Sequence, residues 1–208
     1  MTSSKQYGVG KMYKLLTSIL LVFVSTASVY ADALHRNPDQ PSGSANMQTF
    51  GRTSIPIGAY EYCKRYAMRC QYESKTSGIQ LTRNVWAKVV DTNISINSVI
   101  RPMTDKEIFG VEERWELPKN VGDCEDYVLA KKQELSRIGI PPGALRVTVV
   151  YDANDGGHAV LTLVTDKGDF ILDNNNNKVL RWQEAELTYL KRQKPGNLLL
   201  WESLRPNG

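Results

Sequence analysis

The sequence predicts an α+β protein, with its helices first and an antiparallel sheet after them. Apolar residues recur at helical spacing up to about residue 138, and from Ala144 onward the period changes to two. Short runs of turn residues, rather than long crossovers, separate the segments of the second half, as hairpin-connected strands require.

Taken in order, residues 32–55 (DALHRNPDQPSGSANMQTFGRTSI) are rich in Pro, Gly, Ser and Asn and show no apolar period, so they read as an extended or disordered lead-in. The folded domain is placed at residues 56–208. A short helix is expected from Gly58 to Cys70. Leu81, Val85, Trp86, Val89, Val90 and Ile94 then mark an amphipathic helix, with Arg83, Lys88 and Asp91 on its other faces. RPMTDKEIFGVEERWELPKN, punctuated by Pro102, Gly110 and Pro118, reads as a long ordered loop. The next helix has both ends marked. Asp123 suits the N-cap, Glu125 and Asp126 lie in the first turn, and Gly139 followed by Pro141 and Pro142 stops it. The runs ALRVTVVYD, HAVLTLVT, DFILDN and KVLRW follow as strands, joined by DANDGG and DKGD.

Residues 1–31 read as an export signal rather than as part of the fold. Lys5, Lys11 and Lys14 lead, LLTSILLVFV is a short apolar core, and Val29-Tyr30-Ala31 offers small residues for cleavage. The run is too short for a stable membrane span, although an uncleaved anchor is the alternative reading. The segment carries three lysines and no acid, so the formal charge of +4 falls to +1 without it. That balance gives no reason to expect a nucleic-acid partner, and a monomer is expected.

Export also changes how the three cysteines are read, because a disulfide persists in the periplasm. The economical pairing is Cys63 with Cys70, which leaves Cys124 as a free thiol. Seven residues of unbroken helix would hold the two α-carbons about 10 Å apart, beyond the reach of a disulfide. The pairing therefore requires a break between them, and two buried cysteines on one helix face is the alternative.

Cys124 stands at a predicted helix N-terminus, where free N–H groups and the helix dipole favour thiolate. A thiol nucleophile commonly uses an imidazole to take and return its proton. The chain has two histidines, His35 in the lead-in and His158 after Gly156-Gly157, so His158 is the credible partner. An orienting group for that ring is offered by Asp173 or by Asn174 to Asn177. A tight turn at Lys167-Gly168 would set Asp173 opposite Thr162 and Asn177 opposite His158, so either the register shifts or an asparagine serves. The flanking acids Asp123, Glu125 and Asp126 oppose a thiolate by like charge. Bound Ca²⁺ would cancel that penalty, and three solvated helix caps without metal is the plain alternative.

DTNISINSVIRPMTD, GDCEDYVLAKKQEL and GHAVLTLVTDKGDFILDN, in this order along the chain, together resemble the bacterial transglutaminase-like cysteine peptidases. The likeness extends over residues 55 to 203, including YCKRYAMRC and the tail KPGNLLLW. It implies a papain-like or transglutaminase-like fold with a triad of Cys124, His158 and Asp173, the last favoured over the asparagines, and hence a shifted register. It implies thioester chemistry, with the Cys124 N–H as one oxyanion donor and Trp115 or Asn120 as weak candidates for the second. One branch of the family consists of calcium-dependent periplasmic endopeptidases that cut large surface adhesins near the N-terminus, held in check by a cyclic-di-GMP receptor of the inner membrane. By that resemblance the calcium ligands are Asp123 and Glu125. Two rivals stand beside the peptidase: a transglutaminase or other acyltransferase using an amine acceptor, and a non-catalytic periplasmic scaffold of the same fold.

Overall fold

A computed structural model describes residue 1, residues 46–71 and residues 76–206. The expected export signal from residue 2 on, and the lead-in up to residue 45 with His35, lie outside the described residues. All described residues except Met1 belong to one compact unit.

Strand β1 (Arg52–Thr53) precedes helix α1 (Ile57–Arg65), which stops at Tyr66 before the single turn α2 (Ala67–Cys70). Tyr66 has φ −130° and ψ 57°, outside the helical region. This is the break that the cysteine spacing demanded. It brings the α-carbons of Cys63 and Cys70 to 5.6 Å, and the two residues form a disulfide.

Helix α3 spans Arg83–Val99 and is capped by Thr82, whose hydroxyl accepts from the Val85 N–H at 3.3 Å. Its apolar stripe holds only in the first half. Val89 is buried and Trp86 meets the Phe170 ring edge-on at 5.2 Å, but Ile94 is exposed. In the second half the inward positions belong to Asn93 and Asn97, which hydrogen-bond to the sheet instead of packing against it.

The segment expected to be an ordered loop contains regular structure. Strand β2 (Arg101–Pro102) pairs in parallel with β3 (Val121–Gly122), and between them lies α4 (Asp105–Phe109). A capping box of Thr104 and Glu107 opens α4, and Gly110 at φ 72° closes it. Helix α5 (Cys124–Arg137) follows and packs on β4, β5 and α3.

After a 3₁₀ turn (Pro142–Ala144), strands β4 (Leu145–Tyr151), β5 (Gly157–Thr165), β6 (Gly168–Asp173), β7 (Asn176–Arg181), β8 (Thr188–Gln193) and β9 (Trp201–Ser203) complete the fold. The sheet runs β1-β9-β8-β4-β5-β6-β7, every neighbour antiparallel. The architecture is thus α+β, as its sequence predicts. One sheet face and the helices enclose the main core of Trp115, Leu135, Leu145, Leu161, Leu163, Phe170, Leu172 and Trp201. Full burial of each aliphatic side chain there contributes about 1.5–3 kcal/mol.

Residues 46–55 are docked on the sheet. Met47 is buried with Val150, Val160 and Ile171, and its N–H donates to Asp169 Oδ2 at 3.0 Å. Arg192 bridges Asp169 and Glu202, each at 2.8 Å, and Arg146 meets Glu202 at 3.0 Å. These buried charges are paired, as burial requires.

Candidate active site

Two structural features bring distant residues together. Cys124 opens α5, and the β4–β5 connection delivers His158. In that connection the Asp152 carboxylate accepts the N–H groups of Asn154 and Gly156, each at 2.8 Å, and Asp155 sits at φ 59°. Gly156 is needed for the close approach, because a Cβ there would lie 3.1 Å from Asp152 Oδ2.

The β5–β6 turn is made by Asp166 and Lys167, since Thr165 pairs with Gly168. This differs by one residue from a turn at Lys167-Gly168, and it resolves the register difficulty. Leu161 faces Leu172, and continuing that register sets Asp173 beside Val160, two residues from His158. Such diagonal neighbours lie within reach of long side chains. The ring of His158 meets Asp173 through Nε2···Oδ1 at 2.9 Å. No bulge in the β5–β6 ladder and no asparagine orienter is required.

Burial works to raise the Asp173 pKa, but the His158 hydrogen bond and charge, the Asn175 N–H and Lys131 outweigh it, and the carboxyl ends below its usual range. As an ionised acceptor it fixes the imidazole proton on Nε2. Nδ1 is then the nitrogen with a free lone pair.

The Cys124 thiol lies in the same cleft as His158, a space of about 330 Å³ also lined by Met103, Gly122, Asp123 and Asn174. The Ala159 N–H, one residue on from His158, acts on the thiol so as to favour its ionised form. The thiol itself donates to Glu125 Oε2 at 3.2 Å. Its pKa is pushed up by burial first, then by the charge of Glu125 and its hydrogen bond, with Asp123 adding to the effect and Ala159 opposing it.

Beneath the start of α5 lies an acidic cluster. One carboxylate oxygen each from Asp105, Asp123 and Asp126 falls within 4.8 Å of the others. Asp123 stands at the N-cap position but makes no side-chain cap bond; its Oδ2 instead accepts the Asp105 N–H at 3.3 Å. Asp105 accepts the Arg114 N–H, and Asp126 accepts the Glu116 N–H at 2.8 Å. Burial and mutual repulsion raise the Asp126 pKa to about 8 and push Asp123 and Glu125 upward as well. Of the two ligands expected from the resemblance, Asp123 belongs to this cluster, whereas Glu125 turns to the thiol. Asp105 and Asp126 complete the cluster.

Trp115 is ruled out as an oxyanion donor, because its Nε1–H is committed to Glu113 Oε1 at 2.7 Å and its ring is buried in the core. Asn120 is exposed, and its carbonyl accepts from Arg101. Asp105 is the member that sequence reasoning missed. The signal available was the Thr-Asp-Lys-Glu capping box at 104–107, which fixes the start of α4.

A family profile described as bacterial transglutaminase-like cysteine proteinase matches residues 49–208. The chain belongs to this family. Among solved structures, a calcium-bound Legionella pneumophila LapG is similar at 22% identity over 72% of this chain and 90% of that chain, with a TM-score of 0.46. A second Legionella pneumophila LapG structure covers 68% and 84% at a TM-score of 0.42, and an EGTA-treated one covers 67% and 83% at 0.41, both at 22% identity. Among curated protein sequences none matches at a significant level. In this bacterial transglutaminase-like cysteine proteinase, no helix among the described residues is long and apolar enough to cross a membrane.

Proposed function

We propose that the protein is an exported cysteine endopeptidase in which Cys124 is the nucleophile, His158 the general acid and base, and Asp173 the orienting acid. The observation that carries this reading is the 2.9 Å His158–Asp173 contact at a cleft that Cys124 and His158 line together.

Turnover first requires the thiol to turn from Glu125 and its S–H bond to break, the proton passing to His158 Nδ1 as Cys124 Sγ forms a bond to the peptide carbonyl carbon. The oxygen takes the charge. The Cys124 N–H, at the first position of α5 and so without an intrahelical acceptor, donates to it. The imidazolium, stabilised by Asp173, then protonates the departing amine, and the C–N bond breaks to leave a thioester on Cys124. Water attacks that thioester with His158 taking its proton, and the acid product leaves with the thiol restored.

The acidic cluster fits a hard divalent cation with oxygen ligands. Asp105 and Asp126 are buried, and Oδ1 of both Asp105 and Asp123 is a buried atom with no hydrogen-bond partner among the described residues. Asp105, Asp123 and Asp126 would hold calcium. The ion would supply the positive charge these carboxylates lack and so relieve their repulsion of a Cys124 thiolate.

The resemblance extends the proposal to location and partners: the periplasm, a large surface adhesin as the protein substrate, and an inner-membrane cyclic-di-GMP receptor. Incubation with an unfolded protein such as casein tests the reaction. New N-termini formed by wild type and not by Cys124→Ala are expected. Incorporation of a labelled amine without new N-termini would replace hydrolysis by transamidation, and no turnover of either kind would favour the scaffold. A neighbouring gene for a giant repeat-rich surface protein is expected, and its absence would remove the adhesin from the proposal.

A further inference from the structure

Asp173 sits at the mouth of the β6–β7 hairpin, and β7 is an edge strand with no strand beyond it among the described residues. The hairpin tip is Asp173-Asn174-Asn175-Asn176-Asn177, without an apolar side chain to anchor it. What holds it is α3. Asn93 and Asn97 lie one turn apart on the same face of that helix. Asn93 Nδ2 donates to the carbonyls of Asn176 at 3.0 Å and Asn177 at 3.1 Å. Asn97 Nδ2 donates to the Asp173 carbonyl at 3.0 Å, to Asn177 Oδ1 at 3.0 Å and, more weakly, to the Asn176 carbonyl at 3.4 Å.

The orientation of both amides follows from chemistry, because a backbone carbonyl can only accept. Asn93 and Asn97 each leave Oδ1 buried without a partner among the described residues. A fully buried polar atom left unpaired costs stability, so a polar side chain at these inward positions is a net expense to the core unless its donor half matters. The donor half goes wholly to the turn that carries Asp173. Asp173 is thereby fixed twice, at its carbonyl by Asn97 and at Oδ1 by the Asn175 N–H at 2.9 Å.

Resting on the reading that Asp173 orients His158, we infer that Asn93 and Asn97 are positioning residues, through which α3 sets the angle of the Asp173 carboxylate to the imidazole. They touch neither the cleft nor the reacting atoms. They stand in for the missing neighbour strand, and the apolar stripe of α3 gives way at these two positions for that reason.

The test reads His158 directly. With two histidines in the chain, the ¹⁵N signals of the His158 ring are assignable. In wild type the neutral ring is expected as the Nε2–H tautomer. Asn97→Ala, at a half-buried site, is expected to fold yet to lose much of the Nε2–H population. Asn97→Gln, which keeps the donor, is expected to restore most of it. Asn93→Ala provides a second variant of the same prediction if Asn97→Ala does not fold. Where turnover is measurable, Asn97→Ala lowers kcat by roughly tenfold with KM little changed, as misplacement of a catalytic group does. In an Asp173→Asn background the same change has less than about a twofold effect, because its route of action is gone. A wild-type tautomer in the alanine variants, or an equal loss of kcat in both backgrounds, overturns the inference. Absence of peptidase activity in wild type would count against the proposed function alone, since the tautomer measurement needs no substrate.

Discussion

Lys131 lies seven residues after Cys124, two turns along the same face of α5, with its side chain fully buried. Its Nζ has no hydrogen-bond partner among the described residues; the nearest aromatic face is Tyr127, 5.9 Å away. Burial pulls its pKa down from 10.5 to about 7, opposed only by the charge of Asp173. Between those two values the unfolded chain binds a proton that the folded protein does not, so stability rises with pH across the window, and the cost is fully present below about pH 7. At about 1.4 kcal/mol per pH unit the fall corresponds to about 5 kcal/mol, which is a ceiling. Lys131→Met keeps the length and removes the charge. Urea denaturation of both proteins from pH 6 to pH 10.5 gives the comparison. The stability of the Met variant relative to wild type is expected to shrink by roughly 2–5 kcal/mol over that range. Lys132, Glu125 and Asp126, which also titrate abnormally, are common to both proteins and cancel in the difference. A difference independent of pH, or a wild type more stable at pH 6, would refute the assignment of a buried, costly ammonium.

The other predictions concern the surroundings of the cleft. Reducing Cys63–Cys70 frees a short loop and is expected to lower stability by about 2–3 kcal/mol; an unchanged urea midpoint in dithiothreitol would contradict it. Gly58→Ala would place a Cβ 2.4 Å from Glu113 Oε1 and from the Trp115 ring, so a loss of about 1–3 kcal/mol is expected, and an unshifted Tm would show the loop gives way freely. Calcium is expected to raise the Tm of wild type and not of Asp126→Asn, by preferential binding to the folded state; equal shifts in the two would place the ion elsewhere. Chelation with EGTA is expected to lower peptidase activity, and full activity in excess chelator would return the acids to a structural role.

Much of this arrangement was legible because it is local. The N-terminus of α5, the strand of His158 and the break between Cys63 and Cys70 follow from caps, periodicity and the reach of a disulfide. The register of Asp173 was not, since moving a two-residue turn by one position changes which residue it faces by two, and Asp166-Lys167 and Lys167-Gly168 look alike in sequence. Strands β8 and β9 were missed for a different reason. TYLKRQ has no clear apolar alternation, and Arg192 is buried only because Asp169 and Glu202 neutralise it, a pairing across distant strands that leaves no mark on a local pattern. Asp105 is hidden in the same way: eighteen residues before Asp123, it joins the acidic cluster only because β2 and β3 pair. Asn93 and Asn97 interrupt an apolar stripe, and only the hairpin they hold explains why.

The proposed peptidase chemistry depends on activation of the Cys124 thiol by His158. It is tested most directly by the rate at which iodoacetamide alkylates Cys124 as a function of pH, with calcium present, in wild type and in His158→Ala. Wild type is expected to be alkylated at neutral pH at least about tenfold faster than the variant, whose thiol reacts appreciably only at alkaline pH. Identical profiles for the two proteins would mean that the imidazole does not reach the sulfur, and the proposed peptidase chemistry would fail with it.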